Sequence, residues 1–221
     1  MDTPESRVKL LESEVEAVKS YLSGLTSDDL RKPSACVDWS VADVVGHLAG
    51  QDHALRVRRG LQGDYSAPEG SQPVADHEED RFAKNIFDRA LATREQFGEG
   101  LVAYLNQRLD ETIEVFKSVE LEDWNNLCYW PPGPEPVHIL LDQRLAELTV
   151  HTWDIRSVLE TEYHLSDDAV RVLIEGVDRA ARRAFRPDPS LTIPISHRFV
   201  IDRPVAGIWD IVISIDGAKI G

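Results

Sequence analysis

Glu147 and His151 stand four residues apart, one helical turn, so on a helix their side chains share a face. Leu140, Arg144, Asp154 and Val158 fall on the same stripe. About a hundred residues earlier His47 sits among Val44, Val45 and Leu48, an apolar run in which a charged or hydrated group is costly. His47, Glu147 and His151 together offer two imidazoles and a carboxylate. With a water in the remaining position, that donor set suits a catalytic zinc ion. Nickel, iron and manganese accept the same donors, so residue types alone leave the metal open. The helical pair is not decisive by itself. With 18 Glu and 7 His in 221 residues, chance supplies about half of one Glu-x-x-x-His pair. The bland alternative pairs Glu147 with Arg144 and makes His151 a hydrogen-bonded core histidine.

Such a site needs helices to hold it. Val8, Leu11, Val15, Val18, Leu22 and Leu25 recur at three and four, which predicts a first helix. Ser40-Val41-Ala42-Asp43 has the form of a capping box and predicts a second, carrying His47, with Val44, Val45, Leu48 and Leu55 buried and Gly60 as its stop. Residues 61–80 have no period and read as a long loop of the kind that forms lids or stays disordered. A third pattern runs from about Phe82 to Val119, with Gly98 and Gly100 kinking or splitting it. The proline-rich 121–137 segment reads as an extended linker. A fourth helix from about Pro136 to Glu160 carries Arg144, Glu147 and His151, and a fifth runs from about Asp167 to Phe185. After it, TIPISHRFVI and IWDIVISI alternate with period two, as in a hairpin.

Composition removes several classes of function. Lys and Arg number 24 against 39 Asp and Glu, a formal charge of −15, which disfavours nucleic-acid and membrane-surface partners. No apolar stretch is long enough to span a bilayer, and the first residues lack a signal-peptide core. Cys36 and Cys128 are too few for a disulfide scaffold. The expectation is a cytoplasmic protein with reduced thiols, monomer or homodimer, acting on a small molecule.

The words around the candidate ligands carry more weight than the pair. The run from Pro33 to Leu48, PSACVDWSVADVVGHL, resembles the first signature of the mycothiol-dependent maleylpyruvate isomerase family, a branch of the DinB-like metal-binding four-helix bundles. Arg144 to Ile155, RLAELTVHTWDI, looks like its second. The resemblance covers roughly residues 8–160. It implies a mainly α fold: a DinB-like four-helix bundle over 1–163, followed over 164–221 by a helix and β-hairpin that begin a small, incomplete α/β unit of sterol-carrier type. It also implies that His47, Glu147 and His151 bind a divalent metal, most simply zinc, with a mycothiol-type low-molecular-weight thiol as cosubstrate. A thiolate that adds to an electrophile and stays makes an S-transferase. One that adds to a cis double bond and leaves after rotation makes a cis–trans isomerase. A non-catalytic metal- or small-molecule-binding stress protein of the same fold is the alternative.

Other polar residues have two readings each. Arg144 is a candidate anion contact or an ion-pair partner of Glu147 or Asp154. Asp43 caps its helix or orients His47, and Asp154 solvates its helix or orients His151. Gln51 lines the cavity or faces solvent. Trp39 and Trp153 read as packing residues, and Cys36 as a buried structural cysteine. His138 lies nine residues before Glu147, about 13 Å along the axis, too far to share its metal. His53 points elsewhere, and His77, His164 and His197 show no partner.

Overall fold

The computed structural model describes residues 3–69, 71, 79–131, 133–184 and 189–221. They divide into two compact units, Met1–His164 and Leu165–Gly221. Helix α1, Pro4–Leu22, has proline in its first turn and Thr3 as its cap, and it buries Val8, Leu11, Val15, Val18 and Leu22 as the spacing predicts. A short helix α2, Ser27–Arg31, follows, closed by a Thr26–Asp29 capping box that the sequence reading did not anticipate.

Helix α3, Val41–Gly50, begins at the expected box. The Asp43 amide donates to Ser40 Oγ at 3.2 Å, and the Ser40 amide donates to Asp43 Oδ2 at 2.8 Å. Arg94 also donates to Asp43 Oδ1 at 2.6 Å, so this carboxylate is committed to the cap and an ion pair. The expected second helix does not run on to Gly60. Gln51 is extended, and helix α4 restarts at His53–Leu61. The break resets the helical phase, so Leu55 is exposed and the buried face becomes His53, Ala54, Arg56, Val57 and Gly60. Gly60 is inside the helix, where an added Cβ would meet Leu127 O at 2.6 Å.

Helices α5, Glu79–Phe97, and α6, Leu101–Lys117, replace the third pattern. Between them a 3₁₀ turn, Gly98–Gly100, reverses the chain, with Gly98 at φ +47°. Thr93 packs at Gly50 and Arg108 donates to Gln51 O, so residues that a straight helix would hold about 22 Å apart meet the same turn. Helix α7, Val137–Leu159, buries Leu140, Leu141, Arg144, Leu145 and Leu148, but leaves Val150, Trp153 and Val158 exposed. Trp153 is therefore not a packing residue.

Helix α1 packs on α6 and α7, α3 on α5, α6 and α7, and α4 on α6 and α7. This is a four-helix core (α1, α3–α4, α6, α7) with α5 along α3. The α3–α5 approach depends on Gly46, where an added Cβ would lie 2.6 Å from Ala90 O. Gly46→Ala is expected to destabilise the protein by ~1–3 kcal/mol, since a backbone oxygen cannot swing aside; urea unfolding measures it, and an unchanged midpoint would refute the close-packing argument.

The 121–137 segment is more structured than the expected linker. Leu121–Asn125 form a 3₁₀ turn, and strands β1 (Leu127–Cys128) and β2 (Glu135–Pro136) pair antiparallel. Trp124, Cys128, Tyr129 and Trp130 are buried there, because aromatic burial outweighs the extended bias of the prolines. The loop expected over 61–80 is described only in part, and His77 lies outside the described residues.

In the second unit Ser166 caps helix α8, Asp167–Glu175, and helix α9, Val177–Ala184, follows after Gly176. The expected end at Phe185 lies outside the described residues. Strands β3 (Ile195–Ile201) and β4 (Gly207–Ser214) form the expected hairpin in the register Ile195–Ile213 to Ile201–Gly207. An unanticipated strand β5, Gly217–Ile220, pairs with β4. No described helix is long and apolar enough to cross a membrane.

Candidate metal centre

Helices α3 and α7 bring their polar residues to one point. His47 Nε2 lies 3.1 Å from Glu147 Oε2, and His151 Nε2 lies 3.5 Å from the same oxygen. The two imidazoles meet edge to face, with centroids 4.7 Å apart. Ligands ~2.1 Å from a tetrahedral metal are about 3.4 Å apart, so the distance of each imidazole nitrogen from the carboxylate oxygen fits a zinc-sized ion. His47 is buried, while the Glu147 side chain is 34% exposed, which leaves one side of the cluster open to incoming molecules.

The supporting contacts set which ring nitrogen faces the cluster. His151 Nδ1 is 2.8 Å from Asp154 Oδ2, so the carboxylate holds a proton on Nδ1 and turns Nε2 toward Glu147. Asp154 is itself pinned. The Cys36 thiol donates to Oδ2 at 3.1 Å, and the Ala35 amide donates to the Asp154 carbonyl at 2.9 Å. Trp39, from the same loop, packs its ring edge-on against His47 at 5.4 Å and against Phe87 at 6.0 Å. The loop before α3 thus braces both histidines.

A second set of contacts braces the carboxylate. Gln51 Nε2 is 2.6 Å from Glu147 Oε2 and 3.0 Å from His47 Nε2. Arg144 donates to Gln51 Oε1, and because a guanidinium only donates, the amide oxygen must face it and Nε2 must face Glu147. The break between α3 and α4 is what lets Gln51 turn back onto the cluster. Arg144 is 1% exposed, and besides Gln51 it reaches Leu48 O at 3.4 Å. It is enclosed, and neither Glu147 nor Asp154 is its hydrogen-bond partner.

The electrostatics follow from burial and from these contacts. Burial pushes the His47 imidazole below its usual value, against the pull of Glu147. Burial also acts on His151, but Asp154, Cys36 and Glu147 together raise it. Burial alone would raise the Glu147 carboxyl, yet hydrogen bonds from both histidines hold it well below the carboxylate range. Burial lowers the Arg144 guanidinium to about 10 while leaving it charged at neutral pH.

Within the bundle unit, His138 and His53 are not among the converging donors. His138 Nδ1 turns to Trp124 O at 3.1 Å. His53 is buried on α4, with its ring 6.4 Å from that of Trp130. His164 and His197 are exposed. The sequence reading missed the contact of Cys36 with Asp154. Its signal was position alone: Cys36 stands within the first signature, on the loop that must fold back over the second.

A family model for the mycothiol maleylpyruvate isomerase N-terminal domain matches residues 11–156. The chain belongs to that family. The match takes in the whole cluster, both signatures and the bracing loop. Two solved structures share the fold at 12% sequence identity, each covering 86% of this chain and 78% of its own. One is a mycothiol-dependent maleylpyruvate isomerase, at a TM-score of 0.63. The other is a histidine-to-alanine mutant of that isomerase, at 0.65. No curated protein sequence matches the chain.

Proposed function

We propose that this member of the family binds a divalent metal ion, most simply zinc, through His47, Glu147 and His151, and uses it to turn a mycothiol-type thiol against a small electrophile. The reaction is cis–trans isomerisation, as the family description suggests, or S-transfer. The observation that supports this reading is the convergence of three donors from two helices, with the far nitrogen of one imidazole held by a carboxylate. A divalent ion held by such donors lowers the pKa of a thiol and presents its sulfur as a nucleophile.

The chain's own residues do the rest. Asp154 keeps the proton on His151 Nδ1 and so keeps Nε2 available. Arg144 and Gln51 hold the Glu147 carboxylate in place from the buried side. Trp39 fixes the ring plane of His47. Preset side chains lose little freedom when a ligand arrives, which favours binding. The half-exposed side of Glu147 is where the thiol and its electrophile enter. In this proposal 1–163 is the catalytic bundle, and 164–221, a helical segment and three-stranded sheet, belongs to the sterol-carrier-like unit. Free Cys36 and Cys128 suit a reducing cytoplasm.

The test is to load the purified chain with zinc, manganese, nickel or iron in turn. Metal content and the loss of a cis-unsaturated acid are then followed with mycothiol present. Turnover that needs both metal and thiol supports the proposal. Bound metal without turnover supports the non-catalytic metal-binding alternative, and no bound metal defeats both metal-binding readings.

A further inference from the structure

A cavity of about 190 Å³ lies in the bundle unit between α4, α5 and the segment after β1. Its walls include Arg56 from α4, Phe82, Ile86 and Arg89 from α5, and Tyr129 and Pro131. Two guanidiniums on one small cavity are unexpected in a chain of net charge −15. The nearby carboxylates balance them only in part. Asp52 is taken by Arg56, whose Nε lies 2.6 Å away, and Asp88, also on the wall, pairs with Lys84 at 2.5 Å. The Arg89 guanidinium makes no hydrogen bond to another described residue. Arg56 is 7% exposed and held over the rings of Tyr129 and Trp130 at 5.4 and 5.3 Å, so it cannot swing away.

Arg89 reaches from the cavity wall to the break between α3 and α4. The Arg89 stem packs 3.5 Å from the Cβ position of Gly50, next to Gln51, and Phe87 of the same helix touches Trp39. Burial lowers the Arg89 guanidinium, with the Asp52 carboxylate opposing the shift and the Arg56 charge adding to it.

We propose that Arg56 and Arg89 bind a carboxylate of a small organic acid, the class of substrate that the proposed reaction uses. Guanidinium forks match the planar carboxylate. Phe82, Ile86, Tyr129 and Pro131 give a carbon chain apolar contact that a free phosphate would not use. A cavity of this size has room for a small acid. The role in the reaction rests on the metal–thiol reading, whereas the binding itself does not require the metal.

The test is calorimetric titration of the chelator-treated full chain with maleate, succinate, inorganic phosphate and the neutral succinamide. Both diacids should bind at millimolar concentration or below, with succinamide silent and phosphate weaker. Arg89→Gln should weaken diacid binding at least tenfold. Arg89→Lys, which keeps the charge and protects against a folding artefact, should weaken it severalfold through loss of the fork. Silence from both diacids, equal binding by succinamide, tighter binding by phosphate, or diacid affinity unchanged in Arg89→Gln would each overturn the assignment. Metal content is read separately, so failure of this site and failure of the metal centre are distinguishable.

Discussion

His151→Ala is expected to abolish stoichiometric metal binding and, with it, any metal-dependent turnover. Removing one of the three proposed ligands leaves His47 and Glu147 as the remaining donors, so the loss should exceed the ~10–100-fold that supporting residues cost. The change should not unfold the chain. His151 is only partly buried, the substitution raises helix propensity, and the α7 core of Leu140, Leu141, Leu145 and Leu148 is untouched. Metal analysis after dialysis, with circular dichroism as the fold control, decides it. Unchanged metal content in a folded His151→Ala protein would refute the assignment of this centre, and the same should hold for His47→Ala.

The second large effect is expected from a residue that is not itself one of the three converging donors. Asp154→Asn keeps the size of the side chain but removes the charge that holds the proton on His151 Nδ1. The carboxamide can offer its NH₂ to that nitrogen, which favours the other tautomer and puts a proton on Nε2, where the metal should bind. Metal affinity is expected to fall ~10–100-fold, within the range for such supporting partners. Competition with a chromophoric chelator measures it. Since Asp154 also accepts from the Cys36 thiol, Cys36→Ser separates the two roles: it replaces the thiol with another donor and should leave affinity within severalfold of the wild type. An Asp154→Asn protein with wild-type affinity would show that the carboxylate packs without directing the ring.

A ligand bound only by the folded state stabilises it in proportion to its occupancy, so chelation should lower the melting temperature of the wild type and leave that of folded His151→Ala unmoved.

Much of the bundle was legible because local physics writes it locally. The stripe of α1, the Ser40–Asp43 box and the proline-led start of α7 depend on residues within a turn or two of one another. Glu147 and His151 could be paired from spacing alone for the same reason. The class of fold and the two signatures were in the sequence.

Tertiary structure decided what depends on contacts between distant segments. The break at Gln51–Asp52 has no proline and no strong stop. It forms where α3, packed on α5, gives way to α4, packed on β1, while both keep α6 and α7, and it exposes Leu55 while turning Gln51 onto Glu147. The reversal at Gly98–Gly100 could equally have been a kink, until α5 and α6 both found the Gly50–Gln51 turn. Burial of Arg144 could not be read from a stripe shared with Glu147, because the amide that receives it comes from 93 residues away. The alternation of apolar and polar residues shows which face of a helix turns inward. Which buried polar groups find one another there is settled only when the helices pack, because each lone donor or acceptor must then be paired.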